Sequence, residues 1–175
     1  MASPIKSAAH TRRLVTTALL ACMAMALQYL ESLLPPLVPG LPVRLGLANI
    51  FVLYALLHNK KPDALAISLL RCLLVPLFTG AVSGLLYALP GALFSYAGML
   101  LLLPLYKAER LGAVGLSVFG AFLYNAAQLA VGLFTIGSPM LLYAPWMGLL
   151  SIPAGICTGL IAAILKARIP PTFLL

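Results

Sequence analysis

The sequence predicts an all-α integral membrane protein of six transmembrane helices, with both termini on the cytoplasmic side. Three observations carry that prediction. The 175-residue chain is 63% hydrophobic and only 8% charged, with a mean hydropathy of +1.10. A soluble domain of this size cannot cover so much apolar surface with so few charges, so the fitting solvent is lipid. Long apolar runs alternate with short segments of proline, glycine and basic residues. With a cytoplasmic amino terminus, the inner segments hold Lys6, Arg12, Arg13, Lys60, Lys61, Lys107, Arg110, Lys166 and Arg168, against Arg44 alone outside. That is a positive-inside distribution. The net charge of +8 is scattered over these short segments rather than gathered on one basic face, so it reads as topology and not as a nucleic-acid surface.

Residues 1–13 form a polar lead, and one six-helix domain follows over 14–168, with a tail at 169–175. Helix one runs from about Leu14 to Leu34. Its basic start, apolar core and Ala24-Met25-Ala26 resemble a secretory signal, and Leu19-Leu20-Ala21-Cys22 a lipoprotein box. Apolar sequence continues past both without a polar mature start, so neither is expected to be processed. Pro35, Pro36, Pro39, Gly40 and Pro42 break the helix and form an outer loop.

Span two, Leu45 to Leu57, barely crosses ~30 Å of hydrocarbon and is expected to sit partly behind other helices. Span three contains Ala64 to Phe78 and ends near Thr79-Gly80. Span four, Ser83 to Tyr106, carries Pro90-Gly91, where a kink is expected. Span five, Ala113 to Ile136, carries Tyr124, Asn125 and Gln128. Span six, Leu141 to Leu165, holds Trp146, Pro153 and Gly155 and stops at Lys166, Arg168 and Pro170-Pro171.

Arg71 lies in an uncharged run from Ala64 to Phe78. A guanidinium in the middle of an apolar helix costs ~2.5–3.5 kcal/mol on insertion scales, so it faces a bundle interior and a partner. The partner is either a carbonyl of a neighbouring helix or an anionic ligand. Acids are scarce, since Glu31, Asp63 and Glu109 are the only three. Asp63 and Glu109 stand beside basic residues and read as solvated loop charges.

No acid pair, Ser/His/Asp set, HExxH, CxxC or glycine-rich phosphate loop is present, so neither a catalytic centre nor a cofactor is expected. Cys22, Cys72 and Cys157 are odd in number and far apart, and read as small packing residues. Ala18, Cys22 and Ala26 on helix one, and Gly155 and Gly159 on span six, place small residues four apart. That spacing lets helix backbones approach closely, within the bundle or against a partner subunit. Uncharged polar groups in hydrocarbon need partners. Asn49, Asn125 and Gln128 either converge with Arg71 on an outward cavity, walled by Tyr87 and Trp146, or staple helices together.

The segment Arg44-Leu-Gly-Leu-Ala-Asn49-Ile50, the Leu-Leu-Arg71 run, Tyr124-Asn125-Ala-Ala-Gln128-Leu129 and Gly137-Ser138-Pro139 resemble the Gx transporter family, also labelled heptaprenyl diphosphate synthase component I. The likeness runs from helix one onward. Tyr124 stands where many relatives carry histidine. That family is similar in size and span count to the substrate-binding S components of energy-coupling-factor (ECF) transporters. The resemblance implies an outward ligand pocket and a small-residue face on helix one that docks a coupling subunit. Cys22 replaces the middle residue of the alanine pattern expected there.

The two labels imply different functions. Prenyl diphosphate synthesis needs Mg²⁺ held by clustered aspartates, and Asp63 is the only aspartate, so a catalytic synthase subunit is excluded. The expectation is a non-enzymatic substrate-binding subunit for a small anionic molecule, working with a membrane coupling subunit and cytoplasmic ATPases. Arg71 supplies charge, Asn49, Asn125 and Gln128 orientation, Tyr87 and Trp146 the walls, and loop 35–42 a lid. The alternative is a membrane scaffold of a polyprenyl or quinone pathway. A self-sufficient carrier would need a central titratable group, and none is seen.

Overall fold

The computed structural model describes residues 4–33, 46–58, 60–80 and 83–169. Among them all regular structure is helical: α1 Pro4–Leu33, α2 Asn49–Leu57, α3 Lys61–Phe78, α4 Ser83–Lys107, α5 Ala113–Thr135 and α6 Ala144–Arg168. A 3₁₀ turn, Ser138–Tyr143, leads into α6. Four segments are long and apolar enough to cross a membrane: His10–Leu33, Gly84–Lys107, Ala113–Thr135 and Ser138–Arg168. The expectation of six crossings therefore narrows to six helices, four of which meet that standard alone.

The other two fall short for different reasons. With nine residues, α2 is about 14 Å long, roughly half the hydrocarbon thickness. It starts late because Gly46, at φ +71°, turns the chain into a bend closed by Asn49 N–H on the Gly46 carbonyl. Its apolar residues are enclosed on nearly every side, from Val52 to Leu57, as a helix with no polar face must be. Eighteen residues give α3 enough length, but Lys61, Asp63 and Arg71 interrupt its hydropathy.

At the other end of the length scale, α1 begins at Pro4 rather than Leu14. Proline suits a first helical turn, where its missing N–H is not needed, so the polar lead joins the helix. The buried side of α1 carries Thr17, Leu20, Ala21, Ala24, Gln28 and Glu31 at helical spacing, while Ala18, Cys22 and Ala26 are exposed. The proline-rich loop 35–42 and Arg44 lie outside the described residues.

The helices pack with α5 against both α4 and α6, α1 against α3, and α2 between α3 and α6. Gly155 and Gly159 explain the α5–α6 contact. A Cβ on Gly155 would lie 2.5 Å from Val118 Cα, and one on Gly159 would lie 2.6 Å from Val114 Cα. The two backbones touch where the spacing of small residues allows it. Hydrogen bonds fasten the same seam: the Ser117 and Thr158 hydroxyls meet at 2.6 Å, and Asn125 Nδ2 donates to the Met147 carbonyl at 3.0 Å.

One end of the bundle collects the charges. Arg13 Nη2 lies 2.9 Å from Asp63 Oδ1, and Arg13 Nε donates to both carboxylate oxygens at 3.0 Å. Asp63 is therefore not a solvated loop charge. It is buried in the first turn of α3, where the helix dipole also favours a carboxylate, and it ties α3 to α1. Lys166 Nζ donates to Tyr106 Oη at 2.9 Å and lies 5.0 Å from the ring centroid, joining the ends of α4 and α6.

Candidate functional site

Arg71 sits on the buried side of α3 with 3% of its surface exposed. Its Nη1 donates to Gln28 Oε1 on α1 and its Nη2 to Asn49 Oδ1, the first residue of α2, both at 3.4 Å. Charge-assisted hydrogen bonds are normally ~2.7–2.9 Å long, so both contacts are slack. Arg71 Nε has no partner. Asp63 is paired with Arg13, and among the described residues no carboxylate forms an ion pair with Arg71. The guanidinium is thus buried, held by two neutral amides, and short of acceptors. Such a group costs several kcal/mol until something supplies them.

Arg71 lines a cavity with Gly46, Asn49, Ala121, Tyr124, Asn125 and Ala154. The space is about 20 Å³, room for roughly one water. Two local features shape it. Gly91, after Pro90 in α4, carries no side chain, and the Tyr124 ring lies where its Cβ would be, 3.0 Å from Cε2. The ring therefore lies back against α4. Glu31, one turn along α1 from Gln28, is also buried and accepts a hydrogen bond from Gly46 N–H, which anchors the bend before Asn49.

Of the residues the sequence singles out, Arg71, Asn49 and Asn125 come together at this cavity. Gln128 is buried on α5, does not line it, and leaves its Oε1 without a hydrogen bond. Tyr87 does not line it either, because its hydroxyl is 2.7 Å from Thr135 Oγ1 on α5. Trp146 is 56% exposed on α6, away from the cavity. Gln28 was not anticipated from the sequence, although a glutamine four residues from Ala24 on an apolar helix carries the same signal as Asn125.

Further spaces flank the bundle interior, among them an apolar one of about 270 Å³ lined by Met25, Ala26, Tyr29, Val75 and Phe78 of α1 and α3. A groove of about 200 Å³ between α5 and α6 is lined by Phe122, Asn125, Ala126, Leu129, Ala144, Met147 and Gly148. At the charged end, a cavity of about 490 Å³ is lined by Leu57, Tyr106, Lys107, Glu109, Leu111, Gly112 and Lys166. His58, the C-cap of α2 near that end, has its pKa lowered by burial first, then by Lys166 and Lys60. Among the described residues, no three His, Cys, Asp or Glu side chains gather as metal ligands would.

A protein-family model described as Heptaprenyl diphosphate synthase component I matches residues 20–165. No curated protein and no solved structure matches the chain. The matched stretch takes in every residue that touches the Arg71 cavity. With the match running over most of its length, the chain belongs to the heptaprenyl diphosphate synthase component I family.

Proposed function

We propose that this chain is a membrane-embedded capture subunit for a small anionic molecule, working with a separate coupling subunit and ATPases. In this reading the chain lies in the cell membrane, with α2 and α3 completing six crossings and both termini cytoplasmic. The observation that carries the reading is Arg71: a guanidinium 3% exposed, with two slack bonds to neutral amides and an unpartnered Nε. Buried charges are normally paired, and an incoming carboxylate or phosphate supplies what the described residues do not. Asn49 and Asn125 orient the anion, and Gln128, Tyr87 and Trp146 act around it only if the helices shift on binding. The exposed Ala18, Cys22 and Ala26 face of α1 receives the coupling subunit, since small residues permit close helix approach.

The test is mass spectrometry of small molecules that copurify in mild detergent with the wild type and with Arg71→Met. An anion retained by the wild type and absent from the variant supports capture. Equal small-molecule content in both abandons it.

The family description favours a second reading, a non-catalytic membrane component of a polyprenyl diphosphate pathway. That reading expects Arg71→Met to keep function, with substitutions at Lys60 and Lys107 harmful. Capture expects the reverse pattern.

A further inference from the structure

Asn125 belongs to two spaces at once. One side of it lines the Arg71 cavity, and the other lines the groove between α5 and α6. Its Nδ2 donates to the Met147 carbonyl, so the residue at which the two spaces adjoin is held on α6. The two spaces differ in size and chemistry. The inner one holds a charge and about 20 Å³, whereas the outer one has about 200 Å³ and is apolar except for Asn125.

From this juxtaposition we infer that the captured molecule is an amphipathic anion, with a small charged head at Arg71 and an apolar tail along α5 and α6. The inference rests on the capture reading and adds the class of substrate and its path. The inner space has room for little more than one water, so it takes only the charged atoms of a head; the rest of the ligand must lie elsewhere, and the groove is the adjoining space. Small residues make the groove: Ala126 on α5, and Ala144 and Gly148 on α6. A Cβ on Gly148 would meet nothing within 4 Å, so the recess there is real open space beside α6. Phe122 at its rim is exposed, which leaves the groove open along the side of the bundle, toward lipid. The ligand therefore reaches Arg71 sideways, head first, as the Asn125 side chain leaves the Met147 carbonyl and swings aside.

The experiment measures binding of acetate, butyrate, hexanoate and octanoate to the full chain in nanodiscs, for the wild type, Arg71→Met, Gly148→Phe and Ala126→Leu. Each methylene moved into an apolar groove is worth ~0.8 kcal/mol, or about fourfold in affinity when fully buried. The wild type is expected to gain two- to fourfold per methylene, and Arg71→Met to lose binding of every member. Gly148→Phe, which fills open space without displacing backbone, is expected to bring octanoate down toward acetate. Ala126→Leu approaches the same recess from α5 and serves if the first variant does not fold.

If Arg71-dependent binding is equal for all four anions, the amphipathic substrate is overturned while the capture reading stands. If no anion binds in an Arg71-dependent way, the capture reading itself fails. A chain-length gain that persists in Arg71→Met marks a groove that takes any lipid tail, and also overturns the inference.

Discussion

Arg71 Nη1 reaches Gln28 Oε1 across the α1–α3 contact at 3.4 Å, a charged donor meeting a neutral acceptor where a carboxylate would be expected. Gln28 holds the guanidinium on the α1 side without neutralising it. Its loss removes one of two acceptors and leaves a buried N–H unpaired, a penalty of ~1–3 kcal/mol. Gln28→Leu is expected to destabilise the protein by about that amount in thermal unfolding. Gln28→Glu is expected to pair Arg71 internally, keep or raise stability, and weaken anion binding at least tenfold. If the glutamate variant binds anions as well as the wild type does, Arg71 is not the anchor.

Gly91 controls the opposite wall. Its absent side chain is replaced by the Tyr124 ring, with three ring atoms 3.0–3.2 Å from where a Cβ would stand. In Gly91→Ala the ring must yield by a few tenths of an ångström, toward a cavity with about 20 Å³ to give. Helix propensity gains about 1 kcal/mol from the same change, so net stability is expected to stay within about 1 kcal/mol of wild type. Anion affinity is expected to fall several-fold, and Gly91→Ala with Tyr124→Ala to recover it. Titration of the single and double variants checks this, and an unaltered single variant removes Tyr124 from the site.

The parts of the site that could be read from the sequence are those where a polar group interrupts an apolar run. Arg71, Asn49 and Asn125 stand out for that reason and meet at one cavity. Gln28 gives the same signal but lies on a helix whose small residues, Ala18, Cys22 and Ala26, mark its other, exposed face. Pairings across distance left no local trace. Arg13 finds Asp63 fifty positions away, and Tyr87 turns to Thr135 rather than to the cavity. Hydropathy placed the four long helices, yet it could not place the start of α2. That boundary depends on the left-handed Gly46 and on Glu31 accepting its N–H.

The seam between α5 and α6 sets the strongest constraint on sequence. A Cβ at Gly155 would lie 2.5 Å from Val118 Cα and 2.9 Å from its nitrogen, and one at Gly159 would lie 2.6 Å from Val114 Cα. Backbone atoms cannot rotate away as a side chain can, so the helices must separate and lose the Ser117–Thr158 contact. Gly155→Ala and Gly159→Ala are each expected to destabilise by about 1–3 kcal/mol, despite better helix propensity. Gly148→Ala, whose Cβ has open space, is expected to be neutral or stabilising. Thermal unfolding in one detergent compares the three, and a stable Gly155→Ala would mean the seam is looser than described.

His58 gives the protein a pH dependence with a definite sign. Burial, reinforced by Lys166 and Lys60, lowers its pKa below the ordinary 6.5, and its Nε2 is buried without a partner. The unfolded chain therefore takes up a proton at a pH where the folded chain does not. By linkage, stability from this group is full above about 6.5. It declines as the pH falls through that value and levels off once the folded-state histidine protonates too. Thermal unfolding between pH 8 and pH 5 is expected to show this decline in the wild type. His58→Gln removes the titrating group, so its profile should be flatter over the same window. Lys166→Met withdraws one of the two charges that oppose protonation and should shift the decline toward lower stability loss. A wild-type profile that rises as the pH falls would place the His58 ring beside an acceptor, against its half-buried position with an unpartnered Nε2.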